Sequence, residues 1–315
     1  MTLPRGAAYS HRMLHTPQMT DSADRRRTVY AMLELLKPIT WFPPMWAFLC
    51  GAISAGANLL DNALLLTAGI ILTGPLVCGA SQVVNDWYDR HVDAINEPNR
   101  PIPSGRVPGN IGFYFAVIWT ALALAWGAFF GVWVFAATFV GLVLAWAYSA
   151  PPLRLKLNGW IGNAAVGLSY EGLAWITGAA LMLGGHIPSS AVILIAVLYS
   201  VGAHGIMTLN DFKSIEGDRQ IGIKSLPAQL GAERAAYVAC AVMLIPQLIV
   251  IALLTSWQSY WQAAAIAALV SGQLLAMGHM LKVPKERAPW YNGTGVSAYV
   301  TGMMIAATAL PGITL

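Results

Sequence analysis

The chain has 315 residues, of which 57% are hydrophobic and only 10% charged; a water-soluble domain carries nearer ~25% charge, so water is excluded as the main solvent. A net charge of +4 would admit a nucleic-acid partner, but all 18 Lys and Arg fall on one predicted side of a membrane, which makes the charge a topology signal instead. Cys50, Cys78 and Cys240 sit inside apolar segments with no CxxC spacing, which argues against a disulfide framework or a thiolate metal site.

Residues 1–30 are polar and carry Arg25-Arg26-Arg27. They read as a disordered cytoplasmic tail, without the apolar core or cleavage site of a secretory signal. From 31 to 315 a single transmembrane domain is expected. A window of ~19 residues, the length that crosses the hydrocarbon, marks about nine spans: 41–60, 64–84, 111–131, 133–149, 160–183, 189–209, 234–254, 258–280 and 295–313. The fold class is therefore all-α integral membrane, with the lipid bilayer as solvent and no nucleic-acid partner. Basic residues gather in the tail up to Lys37, in 90–106, at Arg154 and Lys156, in 213–234 and in 282–287, while the loops near 61, 132, 186 and 256 carry none. The positive-inside rule places the N-terminus and the basic loops in the cytoplasm and the C-terminus outside.

At the end of the second span stands Asn85-Asp86-Trp87-Tyr88-Asp89-Arg90-His91-Val92-Asp93. Asp86, Asp89 and Asp93 share one face of a helix. Carboxylates so placed repel one another beside a bilayer unless a cation gathers them, and their hard oxygens suit Mg2+. A solvated acidic helix end is the plain alternative. The sixth span ends on a second version, Asn210-Asp211-Phe212-Lys213-Ser214-Ile215-Glu216-Gly217-Asp218. Asn210, Asp211 and Asp218 match Asn85, Asp86 and Asp93 without a gap, while Ser214 replaces Asp89 and Glu216 replaces His91. Two such motifs, 85–93 and 210–218, at the same face of the membrane are what opposed metal sites around one diphosphate require.

Cations on that face complete an anion site. Arg100 and Arg106 flank a turn stiffened by Pro101 and Pro103. Arg154 and Lys156 follow Tyr148-Ser149-Ala150-Pro151-Pro152, and Arg219 and Lys224 follow the second motif. Arg grips phosphate oxygens bidentately and Lys acts as a point charge. Lys282, Lys285 and Arg287 are read as topology-setting charges only.

The pattern NDxxDxxxD, then YSxPPxRLK, then a second ND with EGD, resembles the UbiA-type intramembrane prenyltransferases over residues 30–315. Within that family, KPITWFPPMWAFLCG, NDWYDRHVDAINEPNRPIPSGR and LNDFKSIEGDRQIGIKSLPAQLG look like the chlorophyll and bacteriochlorophyll synthase subgroup, leaning to its bacteriochlorophyll members. The resemblance implies a helical bundle around a central cavity capped by both Asp motifs, in a bacterial cytoplasmic or intracytoplasmic photosynthetic membrane. It implies Mg2+ held by Asp86, Asp89, Asp93, Asp211 and Asp218, and a prenyl diphosphate and tetrapyrrole as substrates. Asn85, Asn210, Arg100, Arg106, Tyr148, Lys156, Glu216, Arg219 and Lys224 are the expected substrate-binding residues. The expected reaction passes a geranylgeranyl or phytyl group from its diphosphate to the propionate of a bacteriochlorophyllide and releases pyrophosphate. Ser214 departs from the family, where many members carry a carboxylate, and Glu216 is the candidate to replace it.

Two further residues stand inside spans. Glu171 marks either a functional site or a structurally hydrogen-bonded acid. His204 is either a ligand to the acceptor's central metal or ring carbonyl, or a packed core histidine, the commoner state for a lone His on an apolar helix. Rival readings are a chlorophyllide-esterifying enzyme, a sibling acting on a quinone precursor or haem, a membrane transporter, and a structural pigment-complex protein. The small-residue helices 160–183 and 294–309 suit close packing within the chain or against an oligomer or pigment-pathway partner.

Overall fold

The computed structural model describes residues 21–313, and the first twenty residues of the expected tail lie outside that range. Within the expected tail, the chain from Asp21 is already helical, in α1 (Asp21–Leu35). No β-strand occurs among the described residues. After α2 (Phe42–Ser54), entered through Pro43-Pro44, three segments run on as one helix, α3 (Ala63–Asn96), with a π-helical stretch Leu72–Cys78 in its middle. Two apolar helices follow, α4 (Ile111–Ala128) and α5 (Val132–Ser149). Gly159–Gly167, a second π-helical stretch Leu168–Leu173, and Ala174–Met182 form α6 without a break. The α6 N-terminus is capped by Asn158, whose side-chain oxygen accepts from the amides of Trp160 (3.0 Å) and Ile161 (3.3 Å). α7 (Ser190–Ile221) starts on the Ser189 cap and tightens into a 3-10 turn, Asp211–Ser214, inside the second acidic motif. A short α8 (Leu226–Leu230) leads to α9 (Ala232–Ser256), α10 (Tyr260–Met280) and α11 (Pro284–Ala309).

Six of these helices, α3, α4, α5, α7, α9 and α10, are long and apolar enough to cross a membrane, fewer than the nine spans expected. The other three expected spans fall on helices that miss one requirement. α2 has only 13 residues, α6 carries Asn163, Tyr170 and Glu171, and α11 mixes Asn292, Thr294, Ser297, Thr301 and glycines into its apolar length. Large apolar side chains such as Phe129, Phe139, Val201, Ile249 and Leu275 face outward, as lipid-facing helices require.

α2 crosses the second half of α6 at backbone contact. A Cβ on Gly51 would lie 1.9 Å from the Trp175 carbonyl oxygen, and one on Gly178 would lie 2.0 Å from that of Phe48. The small residues expected in 160–183 are thus spent inside the chain. Trp175, Tyr199 and Tyr299 are fully buried where α6, α7 and α11 meet, and Tyr299 Oη donates to the Tyr199 carbonyl at 2.7 Å. The ends of α3 and α7 both line one cavity.

Candidate active site

A cavity of about 650 Å³ opens between α3, α5, α6 and α7. Its mouth is polar and acidic: Asn85 and Asp89 face it from α3, Tyr148 from α5, Asn163 from α6, and Asn210, Asp211 and Asp218 from α7. Its floor is apolar, lined by Leu72, Val77, Ala137, Leu173 and Ala174. Both π-helical stretches face it, a placement common at functional sites because a π-bulge re-aims side chains.

The first motif is knitted to cations. Asp86, 2% exposed, accepts from Lys37 Nζ at 2.6 Å and from Arg100 Nη1 at 3.4 Å. The same Nη1 lies 2.9 Å from Asp93 Oδ2, and the rest of the Arg100 guanidinium forks onto Glu97. Asp89 pairs with Lys156 and accepts from Asn85 Nδ2 at 2.9 Å. Burial pushes the Lys156 ammonium below its ordinary value, and the Asp89 carboxylate opposes that shift. Lys37 (φ 45°) and Arg154 (φ 39°) both hold left-handed backbone, a conformation that costs a side-chain-bearing residue energy and concentrates at functional sites.

The second motif relies on neutral donors. Asp211 Oδ2 accepts from Asn163 Nδ2 at 3.2 Å. Asp218 Oδ2 accepts from Ser214 Oγ at 3.2 Å and Ser225 Oγ at 2.5 Å. Tyr148 lies within electrostatic range of Asp211, Asp89 and Asp218, which ties the two motifs together across the mouth. The loop after the second motif is joined by backbone to the loop that carries Lys156: Lys224 N donates to Leu157 O at 2.9 Å and Gly159 N to Lys224 O at 2.7 Å.

Of the residues singled out in the sequence, Asp89, Asp211, Asp218, Asn85, Asn210, Tyr148, Lys156 and Glu171 meet on this one cavity. Asp86 and Asp93 stand behind the mouth in their salt bridges. The others lie elsewhere. Arg106 is exposed and forks onto Glu34 at 2.5 and 3.0 Å, which raises its guanidinium above the ordinary value. Glu216 is exposed and pairs with Lys285 at 2.5 Å. Arg219 Nε donates to the Ala228 carbonyl at 3.3 Å. Lys224 contributes its backbone to the loop junction. His204 is buried, its Nε2 is 3.1 Å from the Trp160 carbonyl, and it is not part of the cavity wall.

Sequence reasoning missed Lys37, Asn163, Lys213 and Ser225. Asn163 had a signal, as a lone amide inside an apolar stretch. Lys37 had only its place before a proline. Also missed was Tyr170, whose hydroxyl accepts from Gln82 Nε2 at 3.0 Å in the cavity wall.

Among the described residues, no three His, Cys, Asp or Glu converge closely enough to hold a metal ion by themselves. Mg2+ does not need such a cage: it keeps waters and takes one or two carboxylates together with substrate phosphates. The donor set of the mouth, carboxylates with amide oxygens, fits that ion's chemistry.

An acidic, cation-flanked mouth above an apolar chamber inside a helical bundle defines a membrane enzyme for substrates with an anionic head and a hydrocarbon body. The chain belongs to the UbiA prenyltransferase family, matched over residues 38–308, and is a multi-pass membrane prenyltransferase. It is 53% identical over 300 residues to the bacteriochlorophyll synthase 33 kDa chain of Rhodobacter capsulatus, covering 94% of this chain and 99% of that one. It is 55% identical over 283 residues to the protein of the same name from Cereibacter sphaeroides, covering 90% and 93%. Its fold matches that of a UbiA homolog from Archaeoglobus fulgidus bound to GPP and Mg2+, with a TM-score of 0.65 at 20% identity, covering 89% of this chain and 99% of that one.

Proposed function

We propose that this protein transfers a geranylgeranyl or phytyl group from its diphosphate to the propionate carboxylate of a bacteriochlorophyllide, giving the ester and pyrophosphate. The observation that carries the reading is the near-full-length identity to relatives named bacteriochlorophyll synthase. The chamber supports it, because an acidic mouth and an apolar floor suit the two ends of a prenyl diphosphate. Mg2+ is the cofactor of the proposal, and the solved family member bound to GPP and Mg2+ supports it.

Asp89, Asp211 and Asp218 line the mouth and would hold the ion, with Asp86 and Asp93 one layer behind. When bound, Mg2+ supplies positive charge against the departing diphosphate. Lys156 and Lys213 line the same mouth and stabilise charge that grows on the leaving oxygens as the allylic C–O bond breaks. The electron pair of that bond leaves on the diphosphate. A propionate oxygen supplies the pair for the new C–O bond, so no proton moves. A carboxylate is ionised at neutral pH and needs no general base.

The segregation of Lys and Arg supports a cytoplasmic mouth and basic loops. With α2, α6 and α11 crossing alongside the six apolar helices, the bundle would have its nine spans and an outer C-terminus. The test is ester formation by membranes containing this chain, given geranylgeranyl diphosphate and either bacteriochlorophyllide or chlorophyllide, with and without Mg2+. Mg2+-dependent ester with bacteriochlorophyllide preferred is expected. Preference for chlorophyllide moves the acceptor to the sister pigment, and ester with neither sinks the tetrapyrrole reading.

A further inference from the structure

The chamber contains a buried acid that the transfer chemistry does not use. Glu171 sits in the π-helical stretch Leu168–Leu173, lines the cavity and is 7% exposed. Eight residues separate it from Asn163, the partner of Asp211, which places it roughly 12 Å below the mouth at the ~1.5 Å rise of a helix. Two threonines of the lining are satisfied by their own helices. Thr73 Oγ1 donates to the Gly69 carbonyl at 3.0 Å and Thr177 Oγ1 to that of Leu173 at 2.7 Å. Tyr170, the neighbouring residue, is bonded to Gln82. Glu171 has no side-chain hydrogen bond and no ion pair among the described residues. The titratable groups within electrostatic range, Cys50 and Tyr299, bring no opposite charge. The two lysines of the cavity wall, Lys156 and Lys213, belong to the mouth.

An unpartnered carboxyl in an apolar chamber inside a membrane is costly, and a prenyl tail, pure hydrocarbon, has nothing to offer it. A flat pigment with polar groups on its rim does. With its propionate at the mouth, the rest of the macrocycle reaches down toward Glu171. Bacteriochlorophyllide a carries an acetyl group on the ring where chlorophyllide a carries a vinyl group. We propose that Glu171 is a specificity-determining residue, whose carboxyl O–H donates to the acetyl carbonyl of the acceptor and thereby selects bacteriochlorophyllide over chlorophyllide. This rests on the tetrapyrrole reading given above. A vinyl group cannot take part in that bond, and a site built around a polar group rejects the analogue that leaves it unpaired.

The test compares the wild type, Glu171→Leu and Glu171→Gln as purified membrane protein. Each is assayed with both pigments and with geranylgeranyl diphosphate, after thermal melts confirm that the variants are folded. For Glu171→Leu the account expects kcat/KM for bacteriochlorophyllide to fall at least ~10-fold through the acceptor KM, the loss expected of one buried hydrogen bond. Chlorophyllide use should hold or rise, and the donor KM should stay put. Its melting temperature should rise, since a buried unpaired polar group has been removed. Glu171→Gln keeps an N–H donor and should retain bacteriochlorophyllide preference within about threefold of the wild type, on the same hydrogen-bond scale. A raised donor KM or altered tail-length preference with pigment selectivity intact would show that Glu171 borders the prenyl tail and would overturn the proposal. Selectivity unmoved in both variants would also overturn it and leave Glu171 a structural acid. Ester made with unmoved selectivity defeats this inference alone, whereas no ester from either pigment in the wild type defeats the underlying reading as well.

Discussion

The two acidic motifs are near copies in sequence and are held by different kinds of partner. At 85–93 each aspartate has a cation: Lys37 on Asp86, Arg100 on Asp86 and Asp93, Lys156 on Asp89. At 210–218 the aspartates rest on an amide and two hydroxyls, from Asn163, Ser214 and Ser225. Neutral donors orient a carboxylate without cancelling its charge. The second motif therefore keeps its negative charge, while that of the first is met by Lys37, Arg100 and Lys156.

That contrast can be broken in graded ways. The largest effect is expected from Asp211→Ala or Asp218→Ala, which should lower kcat by ~10²-fold or more, the scale of losing one charge-stabilising element of an active site. Chelation of Mg2+ should do the same to the wild type, and both are read as pyrophosphate release. Lys37→Met comes next, because it leaves the buried Asp86 carboxylate only its longer contact with Arg100, at 3.4 Å. Breaking a buried pair costs about 3 kcal/mol, seen as a lower melting temperature, and adding Asp86→Asn should recover most of the loss. Asn163→Leu should cost roughly 10-fold in kcat, the scale of one buried hydrogen bond to a charged group, together with a higher Mg2+ requirement. Least affected is Glu216→Gln, whose exposed pair with Lys285 is screened by solvent. Activity within about twofold of the wild type is expected of so exposed a pair. A tenfold loss there would restore Glu216 as the replacement for the missing carboxylate at Ser214.

The motifs themselves were legible because their chemistry is local. Three aspartates on one helix face, repeated at a second helix end, announce themselves by spacing. The proline-stiffened turn after Tyr148 likewise delivered Lys156. What escaped is what tertiary packing supplies. Lys37 is far in sequence from Asp86, and Asn163 from Asp211, so no periodicity joins them. Arg106 and Glu216 looked like site residues by proximity in the chain, yet the helix ends turn them outward to Glu34 and Lys285. Helix count was blurred for a related reason. α6 gives up apolar residues to line the chamber, so the very helix that shapes the site reads least like a membrane span.

The most direct test of the transfer chemistry uses geranylgeranyl diphosphate labelled with 18O at the oxygen bridging C1 and phosphorus. Breakage of the allylic C–O bond and capture by the propionate predicts that all label leaves in pyrophosphate and none enters the pigment ester. Label in the ester would mean that the prenyl oxygen attacks an activated acyl group, and would contradict the account of the two motifs as a device for expelling diphosphate.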